Sequence, residues 1–225
     1  MDFLDRIFNW SEVWSLFIPL LVLFFSRKQP PVFRPVVLYL WLALPLNLLC
    51  DIIDSYWLHL PEWLQYNNPL YNVHSLLRFA CFAAFFLLLR QTFFLRLQRS
   101  LLSLFPALVM LNFIFVDRFF NGERLSGNLL AAEAYFLLIF CLLYYLSQLK
   151  AEVDVLKSGP EFWIVTGLCI YVVVNFFVFL FYVPMMNENS GLARLMWNVH
   201  NVAYILFNTF LAKAFYESDR SYDRS

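Results

Sequence analysis

Seven stretches of this chain are each long and apolar enough for a bilayer-spanning helix, and that pattern limits the fold more than any motif does. They fall near residues 11–26, 36–57, 70–90, 101–117, 128–148, 162–183 and 193–214. A span needs about 20 helical residues at roughly 1.5 Å each. Composition agrees: 62% of the residues are hydrophobic and 14% charged, with 27 Phe and 7 Trp. A water-soluble fold cannot bury so much apolar surface with so few charges left to keep it dissolved. The expected fold class is all-α, one polytopic seven-helix membrane bundle over 1–215 with a short polar cytoplasmic tail at 216–225. No period-2 alternation supports a lipid-facing barrel. The opening MDFLDRIFNW is acidic and amphipathic, without the basic start of a signal peptide.

Orientation follows from the cations. Arg27, Lys28, Arg34, Arg90, Arg96, Arg99, Lys150, Lys157, Lys213, Arg220 and Arg224 fall on one side of the expected bundle, and Arg6, Arg118, Arg124 and Arg194 on the other. Loops rich in Lys and Arg stay cytoplasmic, which places the N-terminus outside and the C-terminus inside. The formal net charge of +0 hides this asymmetry, and no basic stripe points to nucleic acid. Cys50, Cys81, Cys141 and Cys169 lie within expected spans without paired spacing, as small apolar fillers do.

One phrase is written twice. Tyr71-Asn72-Val73-His74 opens the third stretch, and Trp197-Asn198-Val199-His200 opens the seventh, at an offset of 126. The first stretch aligns with the fifth at an offset of 121, setting Glu12 on Glu133, Ile18 on Ile139 and Ser26 on Ser147. The second and sixth each carry an Asn, Asn47 and Asn175, at an offset of 128. Three helices in one order, with offsets differing by loop-sized amounts, point to two parallel three-helix units joined by the fourth helix. That 3+1+3 layout is the one used by small transporters built from parallel repeats. Leu- and Phe-rich helices also align by composition alone.

Ionisable groups inside a membrane are costly and mark function by default. Here they cluster. Asn47, Asp51 and Asp54 share one face of the second helix at i, i+4 and i+7, and Tyr71, His74 and Arg78 form a stripe on the third. Glu133 comes from the fifth, Tyr171 and Asn175 from the sixth, and Trp197, His200, Asn201, Tyr204 and Asn208 from the seventh. At 1.5 Å per residue, Asp51, His74, Glu133 and His200 lie roughly 5–8 Å outward of their helix midpoints, with Arg78 just beneath. Groups from four helices at one depth predict an outward-facing polar cavity.

Asp51, Asp54 and Glu133 against Arg78 leave a formal −2 when both histidines are neutral. Low dielectric does not sustain that imbalance, and proton uptake, water or a bound cation relieves it. Four readings stay open. One is a structural network in which Arg78 pairs with Asp51 or Asp54; another is a pocket for a small polar ligand or protons. The third is a divalent, zinc-like metal on His74, His200, Asp51 and Glu133, and the fourth a haem between His74 and His200. A retinal pigment is excluded because Lys213 lies at the cytoplasmic end of the last helix. No Ser-His-Asp spacing, HExxH or Gly-rich phosphate loop occurs.

Two segments, PEFWIVTGLCIYVVVNFFVF (160–179) and MWNVHNVAYILFNTFLAKAF (196–215), resemble an uncharacterised family of small bacterial seven-helix membrane proteins. The likeness rests on Pro160, Phe162, Trp163, Tyr171, Asn175, Trp197 and His200. It implies the fold and a place in the cell (inner) membrane, with no mechanism attached. A second likeness is to the membrane hydrolase superfamily of alkaline ceramidases and progestin-type receptors, whose sites use His-x3-His on the final helix. This chain has His200-x3-Tyr204 instead.

The leading expectation is non-enzymatic: a small polar ligand or protons bound in the cavity, sensed, and passed to a cytoplasmic or membrane signalling partner. His74 and His200 would titrate, with Asp51 and Glu133 as counter-ions and Arg78 as the clamp. The alternatives are a metal-dependent hydrolase with Glu133 as general base, and a small-solute transporter of the 3+1+3 type.

Overall fold

A computed structural model of the chain describes residues 7–26, 28–61, 64–89, 94–117, 125–150, 159–188 and 190–222. Its main helices are α1 (Ser11–Phe25), α2 (Arg34–Tyr56), α3 (Asn68–Leu88), α4 (Leu95–Phe115), α5 (Gly127–Lys150), α6 (Pro160–Glu188) and α7 (Ser190–Tyr222). Short 3-10 turns flank α2 at Pro31–Phe33 and Trp57–His59. There is no strand among the described residues. Five helical segments are long and apolar enough to cross a bilayer: Pro31–His59, Asn68–Leu88, Leu95–Phe115, Gly127–Lys150 and Pro160–Tyr182. That is the build of an integral membrane helix bundle.

The other two helices differ for separate reasons. α1 is apolar but has 15 residues, about 22 Å at 1.5 Å each. α7 has 33 residues, but Arg194, Asn198, His200, Asn201 and Asn208 interrupt its apolar sequence. The expected spans stop at 183 and 214, whereas α6 runs to Glu188 and α7 to Tyr222. Apolar content marks residues fit for lipid, while helix propensity carries a helix on into water. The α7 extension shows this, with Lys213 and Glu217 paired at i, i+4 over 2.7 Å. The stretch expected as a polar tail is therefore helical as far as Tyr222. Of the cations used for orientation, Arg6, Arg27, Arg90, Arg118, Arg124, Lys157 and Arg224 lie outside the described residues.

Prolines start several helices. Pro35, Pro69 and Pro160 occupy first turns, where a missing N–H is not needed. Pro19, Pro45, Pro106 and Pro184 lie inside α1, α2, α4 and α6, a placement membrane bundles tolerate when neighbours satisfy the freed carbonyls.

α3 packs between α2 and α5, α5 against α6, α6 against α7, and α7 against α1, which also touches α2. α4 rests at the edge on α5 and α3, and Met110, Ile114 and Phe115 point outward from it. The shared core is aromatic, with Tyr39, Phe82, Phe86, Phe140, Phe207 and Phe215 fully buried. Outward-facing Phe24, Phe25 and Trp41 supply the surface that acyl chains would cover.

α6 and α7 approach closely because of one glycine. A Cβ on Gly167 would stand 2.4 Å from the Cβ of Phe210 on α7, nearer than two carbons pack. Small residues at crossings let membrane helices come together in this way. Gly167→Ala is expected to cost about 1–3 kcal/mol through overpacking, read as a lower unfolding midpoint in detergent. Adding Phe210→Gly, which removes that Cβ, should restore part of the loss.

Candidate functional site

Two buried polar clusters meet near the upper end of the bundle, where α1, α3, α5 and α7 begin. The first is an ion pair. Arg78 of α3 donates from Nε to Glu133 Oε1 at 2.5 Å and from Nη2 to Oε2 at 2.8 Å. The Ser75 hydroxyl donates to the same Oε2 at 2.6 Å. Arg78 is 5% exposed and Glu133 1%, and the guanidinium carbon lies 5.0 Å from the centre of the Tyr171 ring on α6. A planar fork against a planar carboxylate is the strongest form of this contact. Both oxygens of Glu133 are thereby committed.

The second cluster turns on Glu12, which the sequence reading used only in the repeat alignment. Its Oε1 lies 3.5 Å from Nε2 of His200. On the other side of the ring, Nδ1 lies 2.5 Å from Oδ1 of Asn175 on α6. The Asn175 amide is itself oriented, because its Nδ2 donates to the Tyr171 carbonyl at 2.8 Å and leaves Oδ1 facing the imidazole. An amide oxygen only accepts, so this network assigns the hydrogen to Nδ1. A neutral ring then aims the Nε2 lone pair at the Glu12 carboxylate. Glu12 is 4% exposed and His200 5%, so little water softens that repulsion. One proton between the two atoms makes the contact attractive.

Aromatic rings enclose the imidazole. Trp197 lies 5.1 Å away by ring centres, Phe179 5.3 Å and Tyr171 5.9 Å, while Tyr204 stacks at 6.2 Å. The Tyr204 hydroxyl meets that of Tyr39 at 3.3 Å and accepts from Asn47 Nδ2 at 3.3 Å. Asn47 Nδ2 also donates to the Glu12 backbone carbonyl at 3.0 Å. Asn201 donates to the Phe8 carbonyl at 3.1 Å and Asn208 to Ser15 Oγ at 3.2 Å. These bonds tie α1 and the residues before it to α2 and α7.

A cavity joins the clusters, lined by Glu12, Tyr71, His74, Arg78, Trp197, His200 and Tyr204, with Leu130 and Phe179. Only ≈ 10 Å³ of it is open to the centre of a water molecule, about the minimum for one water. Above it, the Trp197 ring meets Tyr71 at 5.7 Å and Tyr182 at 5.3 Å. Below it, Tyr39 packs on Phe82 at 5.2 Å, Phe82 on Phe207 at 5.6 Å and Phe207 on Tyr171 at 5.2 Å. His74 stacks on Tyr39 at 5.8 Å, and its Nε2 has no hydrogen-bond partner. The structure thus has a narrow, largely enclosed chamber where the sequence predicts a cavity, because large aromatic side chains crowd both approaches.

The placement of the remaining expected residues is mixed. Glu133, Tyr171, Asn175 and Asn47 contact the chamber's lining, while Asn201 turns toward the segment before α1. Asp51 is half-buried with an unpartnered Oδ2, and Asp54 is exposed. The expected pairing of Arg78 with Asp51 or Asp54 is therefore corrected to Glu133. Packing is the reason: Glu133 meets Arg78 across the α3–α5 contact, while Asp51 is only half-buried and Asp54 exposed toward the end of α2. For the zinc-like set His74, His200, Asp51 and Glu133, no three His, Cys, Asp or Glu side chains gather among the described residues. A chamber for one water has no room for a haem between the histidines. Glu12 did leave a signal in the sequence, since it aligns with Glu133 across the repeat.

No protein-family model matches the chain, and no curated protein or solved structure matches it. Fold and site together define a class: an all-helical integral membrane protein with a buried layer of charge.

Proposed function

We propose that this chain is a proton sensor of the cell (inner) membrane, in which a proton shared by Glu12 and His200 holds α1 against α7. The carrying observation is the direction of hydrogen bonding around His200, which leaves a lone pair facing a carboxylate unless a proton is bound. Imidazole is the side chain that ordinarily changes charge between pH 5 and 8. The groups facing it are Glu12 from α1, Tyr71, His74 and Arg78 from α3, Tyr171 from α6 and Tyr204 from α7. Glu133 of α5 acts through Arg78, and Tyr39 of α2 through Tyr204. A chamber the size of one water favours a proton over any larger ligand.

Proton loss would set Glu12 and His200 in repulsion and loosen α1 from α7. That interface runs the height of the bundle. Ser15 meets Asn208 midway, and at the lower end Gln29 Nε2 donates to the Phe215 carbonyl at 3.1 Å. The backbone N–H of Lys28 donates to Asp219 at 3.4 Å. A shift at the top therefore reaches the lower end of α7, the surface we assign to a signalling partner.

The same reading takes the chain as seven spans in a 3+1+3 arrangement, N-terminus outside and C-terminus cytoplasmic, akin to the bacterial seven-helix family. Its support is the packing. Under exchange of α1–α3 with α5–α7, the α1–α7 contact corresponds to α5–α3, α2–α3 to α6–α7 and α1–α2 to α5–α6, with α4 left at the edge. The two acids obey the same exchange: Glu12 reaches α7, and Glu133 reaches α3. This symmetry is also the observation that favours a transporter as the second reading, which substrate flux in proteoliposomes tests.

For the sensor, Trp197 beside His200 provides a readout, because a charged imidazole quenches indole fluorescence. Wild-type protein in detergent is expected to show a fluorescence transition as the pH is varied. Glu12→Gln and His200→Gln should each remove it. A transition unchanged in both variants would rule out this site as the sensor.

A further inference from the structure

A groove opens between α1 and α2 at the lower end of the bundle, far from the charge layer. Leu20, Leu23 and Phe24 wall it on one side and Val37, Leu38 and Trp41 on the other, with Ser26, Gln29 and Arg34 at the rim. It holds ≈ 600 Å³, well inside the range of about 300–1,000 Å³ typical of small-molecule sites.

The other half of the chain is closed at the corresponding place. With the offsets that set Glu12 on Glu133 and Asn47 on Asn175, Phe24 falls on Tyr145, Leu38 on Thr166 and Arg34 on Phe162. Tyr145 and Thr166 share a hydrogen bond of 3.0 Å, and the Tyr145 ring meets Phe162 edge-on at 6.2 Å. Between α1 and α2 that bonded pair is replaced by two hydrocarbon side chains, and the filling ring by a cation. The result is an apolar slot facing the bilayer, with Phe24 67%, Leu38 53% and Trp41 61% exposed.

The rim suits an anion. Arg34 is exposed, and among the described residues no carboxylate pairs with it. It stands in the first turn of α2, where the helix dipole favours negative charge and no acidic residue is present. Lys28 lies in the same connection, exposed. A slot for hydrocarbon capped by a guanidinium matches one abundant membrane component. We propose that the groove binds a glycerophospholipid, with an acyl chain between α1 and α2 and the phosphate on Arg34.

The test uses the full chain, purified in detergent and titrated with dioleoyl phosphatidylglycerol, with bound lipid counted by native mass spectrometry. Wild-type protein should retain one lipid more tightly than any other. Arg34→Gln should weaken that lipid by about tenfold, the worth of a charge-assisted bond. Leu38→Trp, which fills the slot without touching a charge, should weaken it as well, whereas Arg99→Gln, an exposed cation on α4, should not. Dioleoylglycerol and inorganic phosphate, each holding half of the recognised chemistry, should not be retained. Equal binding by wild type and Arg34→Gln, or an equal loss in Arg99→Gln, overturns the proposal. His200→Gln should bind lipid normally, so failure here is separable from failure of the proton reading.

Discussion

Arg78→Leu is expected to lower stability by about 3–5 kcal/mol, read by thermal unfolding in detergent, and Glu133→Leu by a similar amount. Each variant strands one charge in the bundle interior. Glu133 loses two donors and keeps Ser75, while Arg78 keeps the face of Tyr171 and the Tyr39 hydroxyl. The double variant, Arg78→Leu with Glu133→Leu, should recover most of the loss, because neither ion then has to be desolvated. Additive losses in the double variant would mean that the two residues act separately. The pair is a scaffold in this view, so the double variant should keep the Glu12–His200 fluorescence transition.

The sequence reveals the helices far better than it reveals their neighbours. Long apolar runs locate each helix to within a few residues at most ends, because burial in lipid demands them. α4 begins six residues before the expected 101, since LRLQRS is polar enough to leave the bilayer and still helical. Of the layer expected at one depth, His74 and His200 line one chamber and Glu133 joins it through Arg78, whereas Asp51 is not in its lining. Which acid meets which cation was not legible. Asp51, Asp54 and Glu133 are equally plausible partners for Arg78 when only depth is known, and the choice depends on α3 packing against α5. Glu12 is the converse case: in the sequence it stands out only by aligning with Glu133, and it is buried because α7 covers the first turn of α1.

Phe207→Ala is expected to cost about 3–5 kcal/mol through the cavity it leaves, with Phe207→Leu recovering most of that. Its larger consequence concerns sidedness. Phe207 touches Tyr39, Phe82 and Tyr171 and is fully buried, so it completes the aromatic layer beneath the chamber. Just below stands Asn208, hydrogen-bonded to Ser15. Removing the ring lets water pass from the chamber to those polar groups. Liposomes carrying wild-type protein should hold an imposed pH gradient, and liposomes carrying Phe207→Ala should lose it faster. A sensor needs its proton to arrive and leave by one side, while a transporter must open to both. A wild-type protein that dissipates the gradient as quickly as the variant would therefore move the Glu12–His200 pair from a sensing site into a conducting path.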